Sequence, residues 1–217
     1  KSQGYKVEDH PLTTREETDA FKEKNGVKTT PQTFIGGERV GGYDDLRRFF
    51  GKPVKDPSAT SYKPVIAIFG MGAAMALAVN WLLTGALLSV MTAELFIAIS
   101  MCLLAMQKLQ DVDGFATMFL GYDLLAKRWV PYAYLYPFGE GLAGALMIAH
   151  ALNWLSVPIA LFIGGVGAIS VFYAVYIQKR ELKCACVGGG SNVPLGFVSL
   201  TENVMMFAMG LWMLVVG

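Results

Sequence analysis

Lys183-Cys184-Ala185-Cys186-Val187-Gly188-Gly189-Gly190 sets a Cys-x-Cys pair and three glycines between the apolar stretches Val157–Ile177 and Phe197–Gly217. Two of the three cysteines of the chain lie here, where a long apolar run gives way to a short polar loop. Thiols at a membrane surface exchange disulfides or bind soft metals. Adjacent glycines let the backbone take positive φ and approach a partner closely. The plain alternative is a flexible connection that happens to carry two thiols.

Working outward, the apolar residues are segregated. Residues 1–63 hold 12 of the 18 Lys and Arg and 10 of the 17 Asp and Glu, so the first part reads as water-soluble and residues 64–217 as membrane. A crossing needs about 20 apolar residues. Five stretches meet this: Pro64–Leu83, Ala86–Met106, Tyr132–Leu152, Val157–Ile177 and Phe197–Gly217. Lys52, Lys55 and Lys63 precede the first, Lys108, Lys127 and Arg128 follow the second, and Lys179, Arg180 and Lys183 follow the fourth, whereas 84–92 and 153–156 carry no Lys or Arg. Positive charge gathers on the cytoplasmic side. This places residues 1–63 and the Cys-x-Cys loop in the cytoplasm and Gly217 outside. Net charge of +1 gives no reason to expect nucleic acid as a partner. Three cysteines, an odd number, make no disulfide framework.

Ionisable groups inside the spans mark a functional cavity or an interior packing face. At 1.5 Å of rise per residue, Glu140 lies roughly 12 Å, Glu202 roughly 8 Å and Cys102 roughly 6 Å from the cytoplasmic ends of their spans. All three therefore fall at the depth of Cys184 and Cys186, and two carboxyls and three thiols are expected to share one polar pocket. Pro137, Gly139, Gly141 and Gly144 flank Glu140 and permit a kink and close helix approach. Each glutamate is either a proton-handling group for thiol exchange or a packing hydrogen bond between helices. Cys102 taken alone reads as a small core residue. His150 and Asn153 read as interfacial anchors. Residues 107–131 interleave Asp111, Asp113, Asp123, Lys127 and Arg128 with Phe115, Met118, Phe119, Leu120, Leu124, Leu125 and Trp129. That pattern suits an amphipathic helix lying in the cytoplasmic interface, as a structural brace ahead of a lipid sensor.

The soluble part alternates over 4–10 like a strand. It continues with a helix over Thr14–Lys24 stopped at Asn25-Gly26, a strand at Thr33-Phe34-Ile35, a turn at Gly36-Gly37 into Glu38-Arg39-Val40, and a helix from Asp44 to Phe50. Within it, Thr29-Thr30-Pro31-Gln32-Thr33-Phe34-Ile35 and Gly41-Gly42-Tyr43-Asp44-Asp45 resemble the Thr-Val-Pro-Gln-Ile-Phe-Ile and Gly-Gly-x-Asp-Asp signatures of glutaredoxins. The resemblance covers residues 1–51 and implies a partial α/β thioredoxin-like domain with a cis peptide before Pro31. It also implies a glutathione site. In that site Thr30 pairs with the tripeptide, the Gly42-Tyr43-Asp44 backbone holds a carboxylate, and Asp45 meets the γ-glutamyl amine. No cysteine occurs before Cys102, so either the first strand and Cys-x-x-Cys helix of such a domain precede Lys1 or the domain is a degenerate binding module.

Residues 64–217 resemble the MauE family through Pro137-Phe138-Gly139-Glu140, the Lys179–Cys186 approach and Gly196-Phe197 with Glu202-Asn203. That family is named for methylamine utilisation and grouped with DoxX-like redox-associated membrane proteins. Its usual Cys-Gly-Cys-Phe-Gly stands here as Cys184-Ala185-Cys186-Val187-Gly188. Together the resemblances imply an α-helical membrane bundle of five spans, joined by a 52–63 linker to the glutaredoxin-like part. The expected activity is thiol–disulfide exchange: electrons from glutathione pass through the dithiol of the glutaredoxin-like domain to Cys184 and Cys186, and then to a quinone, to a buried thiol such as Cys102, or to a membrane or periplasmic partner protein. The alternatives are a soft-metal carrier for Cu(I) or Hg(II) and a non-catalytic accessory subunit of a larger membrane complex.

Overall fold

A computed structural model describes residues 4–54, 60–185 and 193–216, and divides the chain into two units, residues 1–59 and 60–217.

The first unit follows its local signals. Helix α1, Arg15–Asn25, starts at a capping box: Thr14 Oγ1 accepts from the Glu17 amide, and the Glu17 carboxylate takes the Thr14 amide. This arrangement satisfies donors that no helical turn can reach. Hydrogen bonds from Thr13 hold the exposed Glu17 carboxyl below its ordinary 4.5. Gly26 ends the helix at φ 61°, in the left-handed conformation. Strands β1 (Thr33–Ile35) and β2 (Glu38–Gly41) pair antiparallel around Gly36-Gly37, and α2 (Tyr43–Phe49) follows. The Thr30–Pro31 peptide is cis.

Residues 4–10 do not form the expected strand. Among the described residues no ladder pairs them, and a strand exists only through its partner; the sheet of the described residues has two strands and is not clearly thioredoxin-like. Gly41 is the single buried residue among the described residues of this unit.

The second unit is a helical bundle: α3 (Lys63–Thr84), α4 (Val90–Leu109), α5 (Val112–Leu120), α6 (Pro131–Ile148), α7 (Asn153–Phe172) and α8 (Phe197–Val216). Helix α7 continues as a π-helical turn, Tyr173–Ile177. Helices α4, α6, α7 and α8 form a closed ring of neighbours, with α3 against α4 and α5 against α6. Helices α3, α4, α7 with its π-turn, and α8 are long and apolar enough to cross a membrane. The expected fifth span is not among these four. It is α6, which starts at Pro131 and stops at Ile148, and its tyrosines, glycines and Glu140 lower its apolar character.

Small residues set the crossings. A Cβ on Gly144 of α6 would meet Ala98 O at 2.8 Å and Cys102 Sγ at 2.9 Å on α4, and one on Gly164 of α7 would meet Asn203 O at 2.9 Å on α8. Where lipid supplies no hydrophobic drive between helices, such close contact does. The α3–α4 turn is tied by the fully buried Asn80, which donates to Ala86 O (2.6 Å) and accepts from Ser89 Oγ (2.8 Å).

The region expected as one interfacial helix is only nine residues of helix, α5, followed by turns. Phe115 and Phe119 stack and pack against Tyr136 of α6, burying the apolar face in protein. Asp123, fully buried, accepts from the amides of Leu125 (2.9 Å) and Ala126 (2.8 Å), while Ser170 Oγ accepts from the Leu124 amide. These bonds turn the chain back toward α6.

Candidate functional site: a buried Lys–Glu–Glu triad beside Cys184

Each ring helix except α7 sends one charged side chain inward. Lys108, in the last turn of α4, donates from Nζ to Glu140 Oε2 (2.7 Å) and Oε1 (2.9 Å) on α6, and to Glu202 Oε1 (2.9 Å) on α8. The side chains are 1%, 0% and 5% exposed, so these are interior ion pairs, unlike a surface pair worth little. Tyr136, one turn before Glu140 on α6, presents its ring 5.5 Å from Lys108 Nζ and donates from its hydroxyl to Asn203 Oδ1 (3.3 Å). Asn203 Nδ2 donates in turn to Ser199 O (2.7 Å). A Cβ on Gly167 of α7 would collide with the Asn203 side chain, so the glycine makes room for it.

Cys184 is fully buried. Its amide donates to Val193 O (2.8 Å), the Leu195 amide donates to Leu182 O (2.7 Å), and Lys183 bridges Pro194 in antiparallel fashion. Two short backbone segments thus clamp it onto the start of α8, where Ser199 Oγ donates to its Sγ at 3.0 Å. Ser199 and Glu202 are three residues apart on that helix, and side chains so spaced are neighbours about 5–6 Å apart. Cys184 also shares a buried cluster with Leu104, one turn before Lys108 on α4. The sulfur therefore sits about one helical turn from the triad on two helices.

Of the residues expected to meet, Glu140 and Glu202 do, with Cys184 close by. Cys102 lies at the α4–α6 crossing, six residues before Lys108 or roughly 9 Å of rise, its thiol 3.8 Å from the carbonyl oxygen of Gly141, the residue after Glu140. Cys186 lies outside the described residues. His150 is exposed at the end of α6, and Asn153 opens α7 with a buried Oδ1 that has no partner among the described residues. Glu94 accepts from Trp212 Nε1 at 2.7 Å.

Lys108 is the correction of consequence. Read as a cytoplasmic surface charge, it is instead the cation that both span carboxylates need. The signal was present: two buried acids demand a counter-charge, and Lys108 is the lysine in the last turn of an apolar helix.

The first unit has a cleft of about 490 Å³ lined by Gly42, Tyr43, Asp44 and Asp45, together with Gly26, Val27, Lys28, Thr29, Gln32 and Arg39. Thr30 and Pro31 are exposed between the lining residues Thr29 and Gln32. Asp45 is already engaged, accepting from the Gly42 amide (3.1 Å) and from Arg48 Nη1 (2.7 Å).

No curated protein and no solved structure matches this chain. A family model does, over residues 85–216, and its description is Methylamine utilisation protein MauE. That span takes in all of α4 to α8, and with them Lys108, Glu140, Cys184, Ser199 and Glu202. The chain is an integral membrane protein that belongs to the MauE family.

Proposed function

We propose that this MauE-family protein is a membrane thiol–disulfide redox protein whose working sulfurs are Cys184 and Cys186. The observation that carries the reading is the sulfur of Cys184, held by Ser199 and by two backbone clamps one turn from a buried ionised cluster. A thiol placed only to fill space needs neither the hydroxyl donor nor the charged neighbours.

In this reading a glutathione thiolate attacks a Cys184–Cys186 disulfide. A second glutathione then releases oxidised glutathione and leaves the dithiol. Reoxidation returns two electrons and two protons to a quinone or to the disulfide of a membrane or periplasmic partner. Glutathione is assigned to the 490 Å³ cleft, whose lysine and arginine suit its carboxylates and whose Gly42-Tyr43-Asp44 backbone opens a helix. The Thr30, Pro31, Tyr43, Asp44 and Asp45 signature supports a glutaredoxin-like origin for this unit. Helix α6, packed between α4 and α7, is taken as a fifth crossing. The exposed Lys127, Lys179, Arg180 and Lys183, without the buried Lys108, support a cytoplasmic side for the first unit and the Cys184 loop, in a bacterial inner membrane on this reading.

The test is turnover of a fluorescent mixed disulfide of glutathione by the full chain in lipid nanodiscs. Cys184→Ser and Cys186→Ser should each abolish it. Wild-type rates in both variants would overturn the assignment.

A further inference from the structure

The triad does not balance. One ammonium faces two carboxylates, all three side chains are at least nine-tenths buried, and the sum is one negative charge if both acids are ionised. A buried net charge is expensive, and a protein interior neutralises it when a proton can reach it. The hydrogen bonds show where the shortfall lies. Lys108 occupies both oxygens of Glu140 but only Oε1 of Glu202, and Glu202 Oε2, buried, has no partner among the described residues. Yet both carboxyls converge on one ammonium, Lys108 Nζ lying 2.7 Å from Glu140 Oε2 and 2.9 Å from Glu202 Oε1. Two carboxylates repel each other and cannot donate, so their convergence on a single ammonium is favourable when one of them carries a hydrogen.

We propose that Glu140 and Glu202 form a carboxyl–carboxylate pair sharing one dissociable proton, held against Lys108, and that this pair is the proton donor to the Cys184 sulfur. The first half stands on the charge count and the geometry of the triad. The second half rests on the thiol-exchange reading. When a disulfide at Cys184 is opened by an attacking thiolate, the electron pair of the S–S bond leaves on the departing sulfur. If that sulfur is Cys184, it takes the proton of the pair, giving a neutral thiol and a second carboxylate, which Lys108 holds until a proton is returned. No electrons move in the proton step. The other groups facing the pair are Tyr136 on α6, Cys102 on α4 and Tyr132, which also feels Asp123. None is a cation, so Lys108 is the positive charge that keeps the proton count at one among the described residues.

The experiment uses the full chain in lipid nanodiscs, read by the infrared C=O stretch of protonated carboxyls and its shift in D2O. Wild type should show a buried protonated-carboxyl band at neutral pH. Glu202→Gln should remove a component that Asp123→Asn leaves in place. Because glutamine keeps the shape of a protonated glutamate and donates to Glu140, Glu202→Gln should also hold its Tm within about 3 °C of wild type, the scale of a minor change in a chain of this size. A folded Glu202→Gln with an unchanged spectrum would overturn the shared proton. So would a loss of Tm as large as that of Lys108→Met, since it would mean an ionised Glu202 bound to lysine.

A separate arm follows glutathione-driven reduction of the Cys184 disulfide. A slowed rate in Glu202→Gln whose pH profile is flattened supports proton donation to sulfur. A wild-type rate and profile with the infrared band gone removes the donor role and leaves the shared proton standing. Absence of any reduction in wild type fails the thiol reading itself, without touching the infrared result.

Discussion

Replacing Lys108 by methionine keeps the length and apolar stem of the side chain and deletes the charge. Glu140 then loses the donor to both its oxygens, at 2.7 and 2.9 Å, and Glu202 loses the donor at 2.9 Å to Oε1. Removing one partner of a buried ion pair costs about 3–5 kcal/mol, because the charge left behind has neither water nor counter-ion. For a chain of this length about 2–4 °C of Tm accompanies each kcal/mol, so a fall on the order of 10 °C is expected. Lys127→Met is the matched control, since Lys127 is exposed in the next connection and surface changes stay within about 0.5 kcal/mol. The assay is thermal unfolding in nanodiscs, followed by intrinsic tryptophan fluorescence. The triple variant Lys108→Met with Glu140→Gln and Glu202→Gln should regain most of the loss, because no charge remains to be stranded. Equal Tm for Lys108→Met and Lys127→Met would refute the reasoning and return Lys108 to the membrane surface.

Gly144→Val should destabilise the bundle by about 1–3 kcal/mol, because its first carbon already meets Ala98 O at 2.8 Å on α4; chemical unfolding in mild detergent measures it. Burial pushes the Asp123 carboxyl above its ordinary 3.8, against the amides of Ala126 and Leu125 and the Ser170 hydroxyl that pull it down. The folded state thus binds that proton more tightly than the unfolded chain, so stability should decline as pH rises from 3.8 through the raised value and then level off, and Asp123→Asn should remove that slope from a Tm series against pH. Thr14→Ala should cost α1 about 1 kcal/mol by removing the N-cap that receives the Glu17 amide, seen as earlier loss of helix from the first unit.

What could be read in advance followed local rules. Thr14 with Glu17, Asn25-Gly26 and the Gly36-Gly37 turn each specify their own neighbourhood, and α1, the hairpin and α2 stand within one or two residues of expectation. The apolar helices α3, α4, α7 and α8 followed from hydropathy over the length that a crossing needs. Strand 4–10 failed because alternation describes a surface, not a partner. The helix expected within 107–131 is shorter than the pattern suggested, and Phe115 and Phe119 pack on Tyr136 as a structural brace would. Lys108 was misread for a different reason: a lysine at the end of an apolar run has the same sequence signature whether it faces water or turns inward. Its inward turn is set by α6 and α8, more than 30 and more than 90 residues away. Ser199 was invisible for the same reason, and Asn203 stood out only as part of the family resemblance, without a role, each being an ordinary polar residue until a thiol or a tyrosine is placed beside it.

The most direct measurement is the state of Cys184 and Cys186 in the full chain, trapped by thiol alkylation during extraction and read by intact mass and peptide mapping, with and without glutathione. The account predicts a Cys184–Cys186 disulfide that opens to two alkylated thiols as glutathione rises, while Cys102 stays unchanged. Two thiols that remain free at every glutathione ratio would contradict it, and would turn attention to soft-metal binding and to a structural role in a larger membrane complex.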